Sequence, residues 1–234
     1  MNEKIKICGL QRLTLLDFPG EIACTVFLGG CNFRCPFCHN ASLVDPQRIE
    51  KLISEDDFFA FLDSRVGKLG GVCISGGEPT VYPEVYSFIK RIKEKGFKVK
   101  LDTNGTSPEL IERLISDSLL DYIAMDIKSS KEGYQKAIGK SDFDISLIER
   151  SVSIIMSSDL NYEFRTTLVR GIHSPEDMRA IGQWIRGAKR YFLQSFRDSG
   201  DILTEGCSAL DSAALKAYLS IACEYIPTAE LRGE

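Results

Sequence analysis

The 234-residue sequence has no run of about 18 apolar residues, so no segment is long enough to cross a membrane as a helix. Its start, Met1 to Cys8, has no apolar stretch of the kind a secretory signal needs. It has no excess of basic charge. Lys and Arg number 29 against 33 Asp and Glu, a net charge of −4. This argues against a nucleic-acid groove as the main partner surface. It has no linker, repeat or low-complexity tract to divide it. One cytoplasmic domain over residues 1–234 is expected, with 1–20 as lead-in, 21–195 as core and 196–234 as C-terminal helix and tail. Thiols stay reduced in that compartment, so the eight cysteines are read first as thiols or ligands.

Three of those cysteines stand within eight residues, Cys31-Asn-Phe-Arg-Cys35-Pro-Phe-Cys38. The short loop brings three soft ligands together. Three thiolates suit an iron–sulfur cluster. The fourth position has no obvious protein ligand, and catalytic metals keep such an open place. The simpler alternative is a structural zinc with His39 as fourth ligand. Against it, no second C-x2-C or H-x3-H follows, and His39 adjoins Cys38 too closely to share the ion easily. A redox pair of Cys35 and Cys38 would leave Cys31 unexplained.

Along the chain, strand-like and helix-like patterns alternate. Residues 4–20 read as an irregular lead-in with a turn at Pro19-Gly20. Strands are expected at 22–28, 72–75, 97–101, 121–127, 162–168 and 191–194. Helices follow at about 54–66, 83–96, 107–115, 144–157, 174–187 and 211–225, several with Ser or Pro at the start. Residues 131–143 are polar and poorly patterned. Six strand–helix units in strict alternation argue for a parallel α/β sheet. Six fall short of a closed barrel of eight. An open, partial barrel is the first choice and a doubly wound sheet the second.

Four polar motifs follow the C-terminal ends of expected strands: Cys31 to Cys38, Gly76 to Glu78, Asp102 to Asn104, and Asp126 to Lys128. Parallel α/β folds bind ligands at that end. Each motif alone has a plain reading. Gly76-Gly77 is a turn, Asp102 and Asn104 are turn formers, and Lys128 is a surface charge. Their shared rim is what raises them. Arg165 interrupts an apolar strand, so it faces solvent or points inward to an anionic partner.

The cysteine spacing followed by Gly76-Gly77-Glu78 resembles the radical S-adenosylmethionine (SAM) superfamily. The run on to His39-Asn40, with Asp102-Thr-Asn-Gly and Met125-Asp-Ile-Lys128, is similar to the activating enzymes of glycyl-radical proteins. Gly9-Leu-Gln, Leu16-Asp-Phe-Pro-Gly20 and Glu230-Leu-Arg-Gly-Glu234 resemble the activating proteins of anaerobic ribonucleoside-triphosphate reductase.

The resemblance implies a partial (β/α)6 TIM-like barrel with parallel strands. It also implies a [4Fe-4S] cluster on Cys31, Cys35 and Cys38, with SAM chelating the fourth iron. The reduced cluster splits SAM, and the resulting 5′-deoxyadenosyl radical takes a hydrogen atom. Gly77 and Glu78 would hold the SAM amino group and Lys128 its carboxylate, Gly76 would be a further SAM-binding position, and Phe37 would lie by the adenine. Arg165 and Asn104 would lie near the ribose, sulfonium or methionyl part. Asp102, Thr103, the Met125 carbonyl and Asp126 match a monovalent-cation site beside SAM. The partners implied are a glycyl-radical enzyme and a flavodoxin- or ferredoxin-type electron donor, with no nucleic acid or membrane. There is no room between Cys38 and Gly76 for a ferredoxin-like insert, and Cys207 and Cys223 stand alone, so no auxiliary cluster is expected. The alternatives are a radical SAM enzyme acting on a small molecule or modified nucleoside, an activase of pyruvate formate-lyase, and a non-catalytic metal-binding adaptor.

Overall fold

The computed structural model describes residues 4–45, 51–198 and 200–233. Six strands follow the expected alternation: β2 (Ala23–Leu28), β3 (Gly71–Gly76), β4 (Lys98–Thr103), β5 (Tyr122–Asp126), β6 (Asn161–Leu168) and β7 (Tyr191–Ser195). All six are parallel and pair in chain order. Two further strands extend the sheet. β1 (Ile7–Thr14) runs antiparallel to β2, and β8 (Ala229–Arg232) runs parallel to β7. The sheet order is β1 to β8, and the two end strands do not pair with each other. The barrel is therefore partial.

The lead-in expected to be irregular is thus largely a strand. β1 hid because Gln11, Arg12 and Leu13 are exposed and its register against β2 slips twice. Such slips break the alternation that marks a strand. β8 spans four residues, too few for a period to show.

The helices are α1 (Ala41–Val44), α2 (Glu55–Asp63), α3 (Val85–Glu94), α4 (Pro108–Ser116), α5 (Tyr134–Ile138), α6 (Ser146–Ser157), α7 (Pro175–Trp184) and α8 (Ser212–Cys223), with a 3-10 turn at Pro79–Val81. Ser54 caps α2 by accepting from the Asp57 amide at 3.0 Å. That helix stops at Asp63, short of the exposed Val66. Ser174 and Asp177 form a reciprocal capping box on α7. Ser107 sits at the α4 cap position, but its hydroxyl donates to the Thr80 carbonyl (3.4 Å) instead. α5 lies in the unpatterned stretch and buries Tyr134, Ala137 and Ile138. Val26, Ile74, Leu101, Ile123, Phe164 and Leu193 of the strands share one core with Ile89, Leu114 and Ile181 of the helices. Among the described residues no helix is long and apolar enough to span a membrane.

Candidate active site

The loops that follow β2, β3, β4 and β5 meet over one cavity of about 260 Å³. Cys31, Cys35, Cys38, Phe37, Gly76, Gly77, Glu78, Asp102, Thr103, Asn104, Asp126, Lys128 and Arg165 all line it. Of the site positions expected from sequence, only Met125 does not. Its side chain is buried and lies against Gly105. Ser75, Thr167 and Gln194 also line the cavity. Each stands at or near the C-terminal end of its strand, and that position was the one signal that could have marked them.

The cysteine loop rests directly on the glycine pair. A Cβ on Gly76 would come 2.2 Å from the Leu28 carbonyl oxygen, and one on Gly77 would come 2.1 Å from that of Gly30. Gly76 also has φ 122°, which side chains rarely adopt. The two backbones interlock here: the Gly77 amide donates to Leu28 O and the Glu78 amide to Gly30 O, both at 2.8 Å. On the other side, Asn104 Nδ2 donates to Asn32 Oδ1 (2.8 Å), and Asn32 Nδ2 donates to Thr106 Oγ1 (2.7 Å). The Asn104 amide group thus ties the cysteine loop to the end of β4.

Glu78 is 1% exposed. Its Oε1 accepts from the Thr80 amide (3.0 Å), the Thr80 hydroxyl (2.6 Å) and the Thr103 hydroxyl (2.8 Å), and its Oε2 from the Asn104 amide. Burial pushes this carboxyl up, against the pull of those donors. A carboxylate has about four acceptor positions, so little capacity is left for a further donor.

A chain of ion pairs crosses the cavity wall. Arg165 points inward, where Nη1 meets Asp102 Oδ2 at 3.3 Å and Nε meets Asp126 Oδ1 at 2.9 Å. Lys128 Nζ meets Asp126 Oδ2 at 2.9 Å. Burial works against both carboxylates, yet Arg165, with Lys100 at Asp102 and Lys128 at Asp126, holds them below the usual carboxylate range. Lys128 stays protonated for the same reason: burial opposes its charge, and Asp126 restores it.

His173 stands in no motif that marks it in the sequence. Its Nδ1 accepts from the Val169 amide (3.1 Å), which leaves Nε2 to donate to the Lys128 carbonyl (2.8 Å). Its ring lies 6.1 Å from that of Phe37. One side chain thereby positions both the Lys128 backbone and the aromatic wall.

The donor set suits an iron–sulfur cluster. The three thiols share the wall of one cavity, as a multi-iron cluster held by cysteines allows. Burial raises the Cys31 thiol to about 12 and the Cys35 thiol to about 11. Metal coordination deprotonates such thiols outright. His39 lines the same cavity as they do. Its ring stacks on Phe196, and Nδ1 lies 2.9 Å from the Arg197 carbonyl.

A family model, the radical SAM superfamily, matches residues 25–173. A provisionally named glycyl-radical enzyme activating enzyme of Methanocaldococcus jannaschii is 34% identical over 201 residues, covering 82% of this chain and 80% of the relative. The pyruvate formate-lyase-activating enzyme of Streptococcus mutans is 29% identical over 208 residues, 81% of this chain and 78% of its own. Among solved structures, Streptococcus suis SuiB bound to S-adenosylmethionine superposes with a TM-score of 0.65 at 16% identity, over 87% of this chain and 48% of that one. The chain spans about half the length of that structure, and the likeness bears on the fold alone. By its family match, by the identity and coverage of the Methanocaldococcus relative, and by the cavity those matched residues build, the chain belongs to the radical SAM superfamily, among the glycyl-radical enzyme activating enzymes.

Proposed function

We propose that this enzyme places a radical on a glycine of anaerobic ribonucleoside-triphosphate reductase. Cys31, Cys35 and Cys38 would hold a [4Fe-4S] cluster, which when bound would supply the electron for reductive cleavage of SAM and so the fragment that takes the glycine hydrogen. The observation that carries the reading is that three thiols, a backbone-exposing glycine pair and the Arg165–Asp126–Lys128 chain share one cavity at the C-terminal rim.

The chain's own residues have definable tasks there. Lys128 is a part-buried ammonium, paired with Asp126 and suited to a carboxylate such as that of the SAM methionyl group. The Gly76 and Gly77 backbone can approach an ammonium group closely. Phe37 presents an apolar wall to a base. Asn104 and Asn32 hold the cysteine loop in place, and Arg165 keeps both aspartates turned inward. The ends of the chain favour the reductase as partner, since Gly9-Leu-Gln and Glu230-Leu-Arg-Gly resemble its activating proteins.

Similarity to the Streptococcus mutans enzyme over most of this chain supports a second reading, with pyruvate formate-lyase as the target. The two separate by stimulation of SAM cleavage. With the cluster reconstituted and dithionite present, 5′-deoxyadenosine should accumulate faster on adding the reductase and not on adding the lyase. The reverse pattern would move the assignment to the lyase.

A further inference from the structure

The expected cation site beside SAM is already supplied with positive charge by the chain itself. Asp102 Oδ1 accepts from Lys100 Nζ, and its Oδ2 accepts from Ser75 Oγ (3.0 Å) and Arg165 Nη1 (3.3 Å). Asp126 divides its two oxygens between Arg165 and Lys128, each at 2.9 Å. Thr103 Oγ1 donates to Glu78 and accepts from the Gly105 amide (3.1 Å). Two carboxylates therefore face three fixed cations. A sodium or potassium ion between them would have to displace one.

Lys100 is the cation least able to move. It is 2% exposed. On β4 it stands two residues before Asp102, so both side chains leave the same face of the strand. Its register partner on β3 is Cys73, whose Sγ lies 3.8 Å from Nζ. The Tyr122 ring is the other near neighbour, 5.9 Å away. A lysine this deep needs a countercharge, because an unpaired buried ammonium is costly. Asp102, whose Oδ1 pairs with its Nζ, supplies that countercharge. Lys100 does not line the cavity. It can reach a ligand there only through Asp102, which makes it a positioning residue.

We infer that the Lys100 ammonium takes the place of a monovalent cation beneath the SAM site, so that this site needs neither sodium nor potassium. The inference rests on the SAM site proposed above, and its test separates the two. The cluster-loaded enzyme is titrated with SAM, anaerobically and at constant ionic strength, in KCl, NaCl and choline chloride, following the cluster by electron paramagnetic resonance. The wild type should bind SAM with the same Kd in all three salts, within about twofold. Binding that weakens by about tenfold in choline overturns the inference and leaves the SAM site standing. No binding in any salt removes the SAM site and the inference with it.

Lys100→Met should bind SAM at least about tenfold more weakly in choline and recover in potassium or sodium, as expected for losing and then replacing a charged partner. Lys100→Arg should stay indifferent to the salt. Equal weakening of Lys100→Met in all three salts would mean that Lys100 only supports the fold, and would also overturn the inference. Should Lys100→Met not fold, the wild-type comparison decides alone.

Discussion

Gly76 and Gly77 have no room for a side chain, and that lets the cysteine loop lie on the end of β3. Gly76→Ala must accept both an unfavourable φ and a backbone clash, so a loss of about 2 kcal/mol or more is expected. Thermal melting should show it, and iron analysis should show poorer cluster retention. Lys128 makes a contrasting case, because its ammonium bonds to Asp126 and, among the described residues, not to the cysteine loop. Lys128→Ala should keep its iron but bind SAM about 10- to 100-fold more weakly, the loss of one charge-assisted bond. Unchanged affinity would take Lys128 out of the site. The ion pairs also set an acid limit. Asp102 and Asp126 titrate below the usual range in the folded chain. Their contribution is therefore complete above the unfolded value of about 3.9 and is lost as pH falls through the lowered folded values. Urea midpoints of the cluster-free protein should stay level from about pH 7 to 5 and drop below about pH 4. Asp126→Asn should flatten that drop, and an equally steep drop in the variant would contradict the pairing. At this scale the sequence showed which residues line the cavity, because their places at strand ends are visible in it. It did not show Lys100, His173 or Asn32, whose roles depend on register and on partners far along the chain.

The cysteine loop and the end of β4 behave as one fastened unit, with Asn32 between Asn104 and Thr106. Asn32→Ala removes two neutral hydrogen bonds, so a loss of about 1–2 kcal/mol is expected, with faster iron loss to a chelator. Chelation at the wild-type rate would mean the loop is held by its backbone alone. At the far edge, Arg232 pins β8 to β6 through a two-pronged pair with Glu163, at 2.7 and 3.0 Å. Glu163 is fully buried while Arg232 is 38% exposed, so solvent takes back part of the pairing. Arg232→Met leaves the carboxylate, among the described residues, with the Tyr122 hydroxyl as its donor and should cost about 2–3 kcal/mol in urea unfolding. The six central strands were legible because apolar alternation between helices leaves few other choices. β1 and β8 were not, since an exposed edge with slipped register and a four-residue strand carry no period.

At the scale of the molecule, seven parallel strands and one antiparallel edge among the described residues form a sheet whose two end strands do not pair. All four polar loops lie at the C-terminal end of the parallel strands, so a protein substrate must present its glycine to that rim. The exposed Leu13, near the end of β1, and Leu15, Leu16 and Ile22, on the turn that leads into the start of β2, lie elsewhere. The proposed activity therefore depends on a glycine loop reaching the cavity beside Lys128 and Phe37. The direct test is electron paramagnetic resonance on anaerobic ribonucleoside-triphosphate reductase from the same cell, after anaerobic incubation with the reconstituted enzyme, SAM and reductant. The account predicts a glycyl doublet on the reductase, matched by 5′-deoxyadenosine in equal amount and absent with Cys35→Ala. Abundant 5′-deoxyadenosine with no doublet on any glycyl-radical enzyme of that cell would contradict it.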